Sequence, residues 1–196
     1  GSFFNANKIN PSVISLWSKI LHKIPNSRII VGGIKEKASE KNFKNCFEEN
    51  NIDLSRVNFR ERTDFHKFCT YHNEIDVCLA PYPYVGGTTI ANALKMGVPT
   101  LLLKGKTYPN VGGAARLHYA GLPQFIAKNE TDYANKAIQI VTNLDTLARI
   151  RQDLIKNQHL VSNENQLFSN SVAKAFRTIW NAYCNGIEPK SIKVFK

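Results

Sequence analysis

The chain has 196 residues, 43% hydrophobic and 21% charged, with a net charge of +11; this is ordinary globular usage and excludes disordered, collagen-like and coiled-coil classes. No apolar run approaches the roughly 18 residues of a membrane span. The four cysteines, Cys46, Cys69, Cys78 and Cys184, lack C-x-x-C spacing, which points away from zinc or a disulfide framework and toward a reducing, cytoplasmic compartment.

Gly1-Ser2 reads as the remnant of a cleaved tag, to be left outside the fold. Phe3-Phe4-Asn5 reads as the end of a strand, so the chain is expected to be a domain excised from a longer protein. Residues 3–186 form that domain and 187–196 a tail. Asn10-Pro11-Ser12 opens a helix, with proline in its first turn, and Val13, Leu16, Trp17, Ile20, Leu21 and Ile24 keep helical spacing. Arg28 to Gly32 is a buried strand. Residues 36–50 form a polar helix edged by Ala38, Phe43 and Phe47. Val57-Asn58-Phe59 is a strand, 64–72 a short helix, and Ile75 to Ala80 an apolar strand. The loop from Pro81 to Gly87 leads into a helix from about Thr88 to Met96, closed by Gly97. Pro99 to Leu103 is the next strand. A glycine-rich loop precedes a helix near 112–120, Phe125-Ile126 is a short strand, and helices follow at about 130–142, 144–158 and 165–185. Strands alternating with helices, several as continuous apolar runs, predict an α/β fold with a parallel sheet and helices on both faces. Ligands of such sheets bind at the carboxyl ends of the strands.

The stretch Tyr84-Val85-Gly86-Gly87-Thr88-Thr89 follows a buried strand and opens a helix. Two glycines let backbone N–H groups approach an anion, the threonine hydroxyls cap the helix and reach phosphate oxygens, and the helix dipole favours negative charge there. Asn92 stands one turn inside, in reach of a hydroxyl of the same ligand. A plain strand-to-helix turn is an equal reading of so short a motif. Lys8, past the first strand, can neutralise a phosphate, although a solvated lysine is the simpler reading of it alone. Val111-Gly112-Gly113 either faces the same cleft or is a packing turn. Between Thr63 and Tyr71, Phe68 either stacks on a base or fills the core. His66 and His72 have no paired metal spacing, and no acid/base pair is evident.

Taken in order, Phe4-Asn5, Lys8-Ile9-Asn10-Pro11, Ile75-Asp76-Val77-Cys78-Leu79, Pro81-Tyr82-Pro83-Tyr84, Thr88-Thr89, Gly97-Val98-Pro99, Gly121-Leu122-Pro123 and Ile126-Ala127-Lys128-Asn129 resemble one family. It is the C-terminal, nucleotide-sugar-binding half of the O-GlcNAc transferases and of the related bacterial adhesin N-glucosyltransferases. The resemblance runs over about residues 3–186. It implies a Rossmann-like, doubly wound sheet forming half of a GT-B glycosyltransferase. It further implies a UDP-sugar donor, inversion at the anomeric carbon, no metal or other cofactor, and a protein or peptide acceptor. The N-terminal half of the same protein is the implied structural partner. Lys8 matches the family's diphosphate-contacting lysine, needed for activity. Thr88 and Thr89 match its phosphate-holding residues, beside Gly86 and Gly87. Asn92 falls where the family has a ribose-binding aspartate, and Gly87 where the O-GlcNAc branch has a further histidine. Counting without gaps puts Phe68 at the uracil-stacking position and Tyr71 at a neighbouring basic one; His66 is the stacker if the loop shifts by two residues. Two other readings remain open. The departures at Asn92 and Gly87 fit a noncatalytic family member acting as a partner protein, and the +11 charge fits a nucleic-acid-binding module. The scattered lysines and the absence of any recognised nucleic-acid motif speak against the last.

Overall fold

The computed structural model describes residues 1–192, so the end of the tail expected at 187–196 lies outside the described residues. The chain forms two compact units, Gly1–Ile155 and the segment from Lys156 onward. In the first, strands β1 (Ile29–Ile34), β2 (Val57–Glu61), β3 (Cys78–Leu79), β4 (Thr100–Leu103) and β5 (Ile126–Ala127) alternate with helices. These are α1 (Pro11–Lys23), α2 (Lys37–Glu49), α3 (Phe65–Tyr71), α4 (Thr88–Lys95), α5 (Tyr108–Tyr119), α6 (Glu130–Thr142) and α7 (Leu144–Lys156). The second unit is carried by α8 (Gln158–Cys184), whose Phe168, Phe176, Trp180 and Tyr183 are exposed.

The pairings β1–β2, β3–β4 and β4–β5 are all parallel. The N-terminal residues join the two resulting sheets. Ser2 N–H donates to Ile30 C=O and Gly32 N–H donates to Ser2 C=O, each at 2.8 Å. On the other side the Gly1 amino group donates to Val77 C=O at 2.8 Å, and Leu79 N–H donates to Gly1 C=O at 2.7 Å. Residues 1–2, expected outside the fold, therefore act as its central strand, and Ser2 is fully buried. The physical reason is that the facing edges of β1 and β3 need a strand between them to pair their backbone groups. The spatial order is then β2, β1, the N-terminal segment, β3, β4, β5, that of a Rossmann fold with its first strand at the centre. The chain runs from this strand to one side for β1 and β2 and then to the other for β3, β4 and β5. The topological switch point falls between the N-terminal segment and β3.

Adjacent strand residues point to opposite faces, and along β4 both directions are buried. Leu101 belongs to one cluster with Trp17 of α1 and Tyr133 of α6; Leu102 belongs to another with Ile90 of α4 and Leu117 of α5. Helices thus cover both faces, which is the doubly wound arrangement. One local element differs from expectation. Gly112 and Gly113 lie inside α5, not in a loop before it, because α5 starts at Tyr108 with proline in its first turn. Gly113 is required for space: a Cβ there would fall 2.7 Å from Ile90 Cδ1 and 2.9 Å from Val85 Cγ2. Of the second glycine pair, Gly113 is the packing device between α5 and the β3–α4 segment, while a Cβ on Gly112 would meet nothing within 4 Å.

Candidate functional site

Two pieces of chain bring charge to the switch point. The first is the single turn Ala6–Lys8 after the central strand, capped by Asn5, whose side chain accepts from Asn7 N–H at 3.0 Å. It sets Lys8, half-buried, against the loop that follows β3. Lys8 Nζ lies 4.0 Å from the centre of the Tyr84 ring and 3.2 Å from where a Cβ on Gly86 would stand. Gly86 has φ +73°, a left-handed conformation that glycine adopts without steric penalty. Burial lowers the Lys8 pKa from its ordinary value, since desolvation disfavours the ammonium; an anion alongside would offset that. The loop is pinned from outside. Asn10 Nδ2 donates to Tyr82 C=O at 3.3 Å, the Tyr82 hydroxyl donates to Glu130 Oε1 at 3.0 Å, and Val85 is fully buried.

The second piece is the start of α4. Its N-cap is Gly87, which has no side chain to cap with. The threonine hydroxyls were expected to cap the helix; Thr88 and Thr89 instead occupy its first two positions. The first intrahelical bond runs from Ala91 N–H to Gly87 C=O at 3.0 Å. The amides of Thr88, Thr89 and Ile90 therefore have no acceptor within the helix, and they stand at its positive end. Thr88 is exposed, whereas Thr89 and Asn92 are half-buried. Asn92 lies one turn beyond Thr88, and its side chain makes no hydrogen bond among the described residues.

Beside these groups, at the carboxyl ends of β1 and β2, is a cleft of about 240 Å³ walled by Phe4, Asn5, Lys35, Arg62, Phe68 and Tyr71, among others. Phe68 is half-buried and meets the His72 ring edge-on at 5.1 Å, while Tyr71 lies 5.8 Å from Phe3. Phe68 thus packs on the core with one side and lines the cleft with the other. His66 is exposed in the first turn of α3 and is not part of the wall. Phe4 ties the cleft to the loop: it lines the cleft, and its ring is 3.4 Å from the Cβ position of Gly86. A larger cavity, about 470 Å³, lies at the opposite, amino ends of the strands, walled by apolar side chains of α1 and α6 and by polar ones such as Arg28, Asn58, Glu74 and Asp76. Its wall lacks Phe4 and every other residue beside the Gly86-Gly87 turn, so the smaller cleft is the candidate site.

Sequence spacing did not mark Lys35, Arg62 or Arg116. Arg116, from α5, places Nε 3.5 Å from where a Cβ on Gly87 would stand. Only the close approach of α5 creates that neighbour, and no local motif announces it.

Relatives align with nearly the whole chain. It is 28% identical over 200 residues to a barley (Hordeum vulgare) protein and 30% identical over 201 residues to a tomato (Solanum lycopersicum) protein. Both are named probable UDP-N-acetylglucosamine–peptide N-acetylglucosaminyltransferase SPINDLY, and in each case 96% of this chain is covered. A solved structure of a mutant Thermobaculum terrenum O-GlcNAc transferase superimposes with a TM-score of 0.88 at 28% identity over 95% of the chain. This chain spans about a fifth of the length of the two plant proteins and 36% of the solved one. The family model for glycosyl transferase family 41 matches residues 2–172, and the chain belongs to that family.

Proposed function

We propose that this chain is the donor-binding half of an inverting, metal-independent glycosyltransferase that transfers a hexose or N-acetylhexosamine from a UDP-sugar to Ser/Thr or Asn of a protein. One observation carries the reading. Lys8 and the unpaired amides opening α4 meet at Gly86-Gly87, beside an aromatic-walled cleft at the carboxyl ends of β1 and β2 in a Rossmann-like sheet. In this reading the uracil enters the cleft against Phe68 and Tyr71, Asn92 takes a ribose hydroxyl, and the diphosphate lies on Gly86, Gly87, Thr88 and Thr89. The acceptor attacks the anomeric carbon opposite the phosphate. The bond from that carbon to the phosphate oxygen breaks, its electron pair stays on UDP, and the acceptor's proton passes to solvent as the new bond forms. Lys8 and the α4 amides stabilise the negative charge gathering on the departing UDP, the part a metal plays in other transferases. Acceptor recognition belongs to the N-terminal half of the whole enzyme, so this chain alone binds donor and transfers little. The free cysteines fit a cytoplasmic setting.

Titration calorimetry of the chain with UDP in excess EDTA tests this reading, with GDP as the comparison. Binding of UDP in preference to GDP is the expected result. No heat and no chemical-shift change at millimolar UDP overturns the reading; a preference for GDP overturns the assignment of the base.

A further inference from the structure

We propose that Arg116 of α5 is a specificity-determining residue of this site: it binds the distal phosphate of the nucleoside diphosphate and so separates diphosphates from monophosphates. The inference rests on the reading above and deepens it. Two consecutive glycines carry two different cations. The Cβ position of Gly86 has Lys8 Nζ at 3.2 Å and the Phe4 ring at 3.4 Å. Among the described residues, the heavy atoms within 4 Å of the Cβ position of Gly87, its chain neighbours aside, are Arg116 Nε at 3.5 Å and Nη2 at 3.8 Å. The order out of the cleft is therefore Phe4, then Gly86 with Lys8, then Gly87 with Arg116. A ligand whose base sits against Phe4 and Phe68 reaches Lys8 with its first phosphate and Arg116 with its second.

Three features make Arg116 more than a solvated surface arginine. Gly87 has no side chain, and the guanidinium stands at van der Waals distance from where one would begin, beside the N-cap of α4. Among the described residues no carboxylate pairs with it, whereas Arg60 and Arg151 each have an acidic neighbour. Its approach is fixed by packing: Gly113, one turn earlier on α5, lies against Ile90 and Val85 with no room for a Cβ. A guanidinium presents a planar fork of donors that matches phosphate oxygens. The uncapped amides of Thr88 and Thr89 complete the set on the helix side.

The experiment is titration of UDP, UMP and uridine, in EDTA, into the wild-type chain and into Arg116→Ala, Arg116→Gln and Arg116→Lys. Melting temperatures are recorded for each; Arg116 is exposed, so the fold is expected to survive. The proposal expects Arg116→Ala and Arg116→Gln to weaken UDP by about tenfold, as loss of a hydrogen bond to a charged group does. UMP and uridine should stay within about twofold, and Arg116→Lys should recover part of the loss through charge alone. Unchanged UDP affinity in both neutral variants overturns the proposal, as does an equal loss for UMP. If the wild-type chain binds no UDP, the donor-site reading fails and the proposal with it. If the wild-type chain binds UDP and the variants match it, only the role of Arg116 fails.

Discussion

The two ends of the same parallel sheet use arginine and lysine in opposite ways. At the amino ends, Arg56 donates from Nε to Ser27 C=O at 2.9 Å and from Nη2 to Leu21 C=O at 2.9 Å and Ile24 C=O at 3.0 Å. Arg151 Nη1 donates to Ile75 C=O at 2.6 Å. These guanidinium groups are spent on carbonyls around the end of α1 and the approach to β3. At the carboxyl ends Lys8 rests on an aromatic ring and Arg116 stands beside Gly87. The difference follows from the winding. Crossover helices place their carbonyl ends near the start of the strands and their amide ends near the finish. Cations at the first end complete the fold, and cations at the second remain available to a ligand. Cavity size does not report this, since the larger cavity is at the end where the cations are committed.

The sharpest way to test that division is to remove one cation from each end. Arg56→Met removes the charged donor from three carbonyls, of which Ile24 C=O and Leu21 C=O keep neutral donors from Ser27 and Ile24. Hydrogen bonds to charged groups are worth about 1.5–3 kcal/mol each, and water replaces part of them at a half-buried site. A net loss of about 3 kcal/mol is expected, lowering the melting temperature by about 6–12 °C for a chain of this size. UDP affinity of the folded protein should not change; a parallel loss in calorimetry would show that the two ends are coupled. Lys8→Ala should do the reverse. UDP affinity should fall by about 1.5–3 kcal/mol, uridine affinity should hold, and the melting temperature should stay level or rise as a desolvated ammonium is removed. A lower melting temperature with equal loss of uridine would return Lys8 to the structural class.

What was legible in the sequence was what short-range physics writes there. Asn10-Pro11 marked the start of α1, and the Asn10 side chain does accept from Val13 N–H at 3.0 Å. The apolar runs marked the parallel strands, and Gly86-Gly87-Thr88-Thr89 marked a strand-to-helix turn. Hidden features depended on pairings distant in sequence. Gly1-Ser2 reads as a remnant until β1 and β3 are seen to need a strand between them. Gly113 reads as a loop glycine until Ile90 and Val85 are seen against it. Arg116 is one more surface arginine until the close approach allowed by Gly113 puts it beside Gly87. The capping role read for the threonines failed for a local reason: the N-cap position fell one residue earlier, on glycine.

The aromatic wall of the cleft is a region between the two ends, where a side chain can serve both fold and ligand. Phe68 faces the cleft and also abuts His72. Phe68→Ala should therefore lower both uridine and UDP affinity by about 1–3 kcal/mol, the range for a base–aromatic stack. It should also cost a few degrees of melting temperature, about 1 kcal/mol for a half-buried ring against the core. Phe68→His should restore much of the binding and less of the stability. His66→Ala should be silent in both measurements, because His66 is exposed and away from the wall. A large affinity loss at His66 with none at Phe68 would show that the base sits elsewhere on α3.

The smallest effect concerns a cation that the fold refuses to form. His72 is fully buried under Phe3 and Phe68, with ring centres 5.0 and 5.1 Å away. Its Nδ1–H donates to Phe68 C=O at 3.1 Å and Cys69 C=O at 3.3 Å, and its Nε2 is buried without a partner. A protonated ring would carry a second N–H with nothing to receive it, and burial lowers its pKa from the ordinary 6.5. The unfolded chain therefore takes up its proton first as the pH falls. The contribution of His72 to stability is complete above about 6.5 and declines below it, until the folded imidazole itself titrates. The slope cannot exceed one proton's worth, about 1.4 kcal/mol per pH unit. Thermal melts from about pH 7.5 to 5 should show this decline, and His72→Gln should flatten it by up to that one-proton slope. Because His72 supports Phe68 and lies away from Lys8 and Arg116, the same acidification should weaken uridine and UDP alike. A selective loss of UDP would mean that the titrating group belongs to the phosphate end of the site. An undiminished slope in His72→Gln would mean that the buried imidazole is not the group responsible.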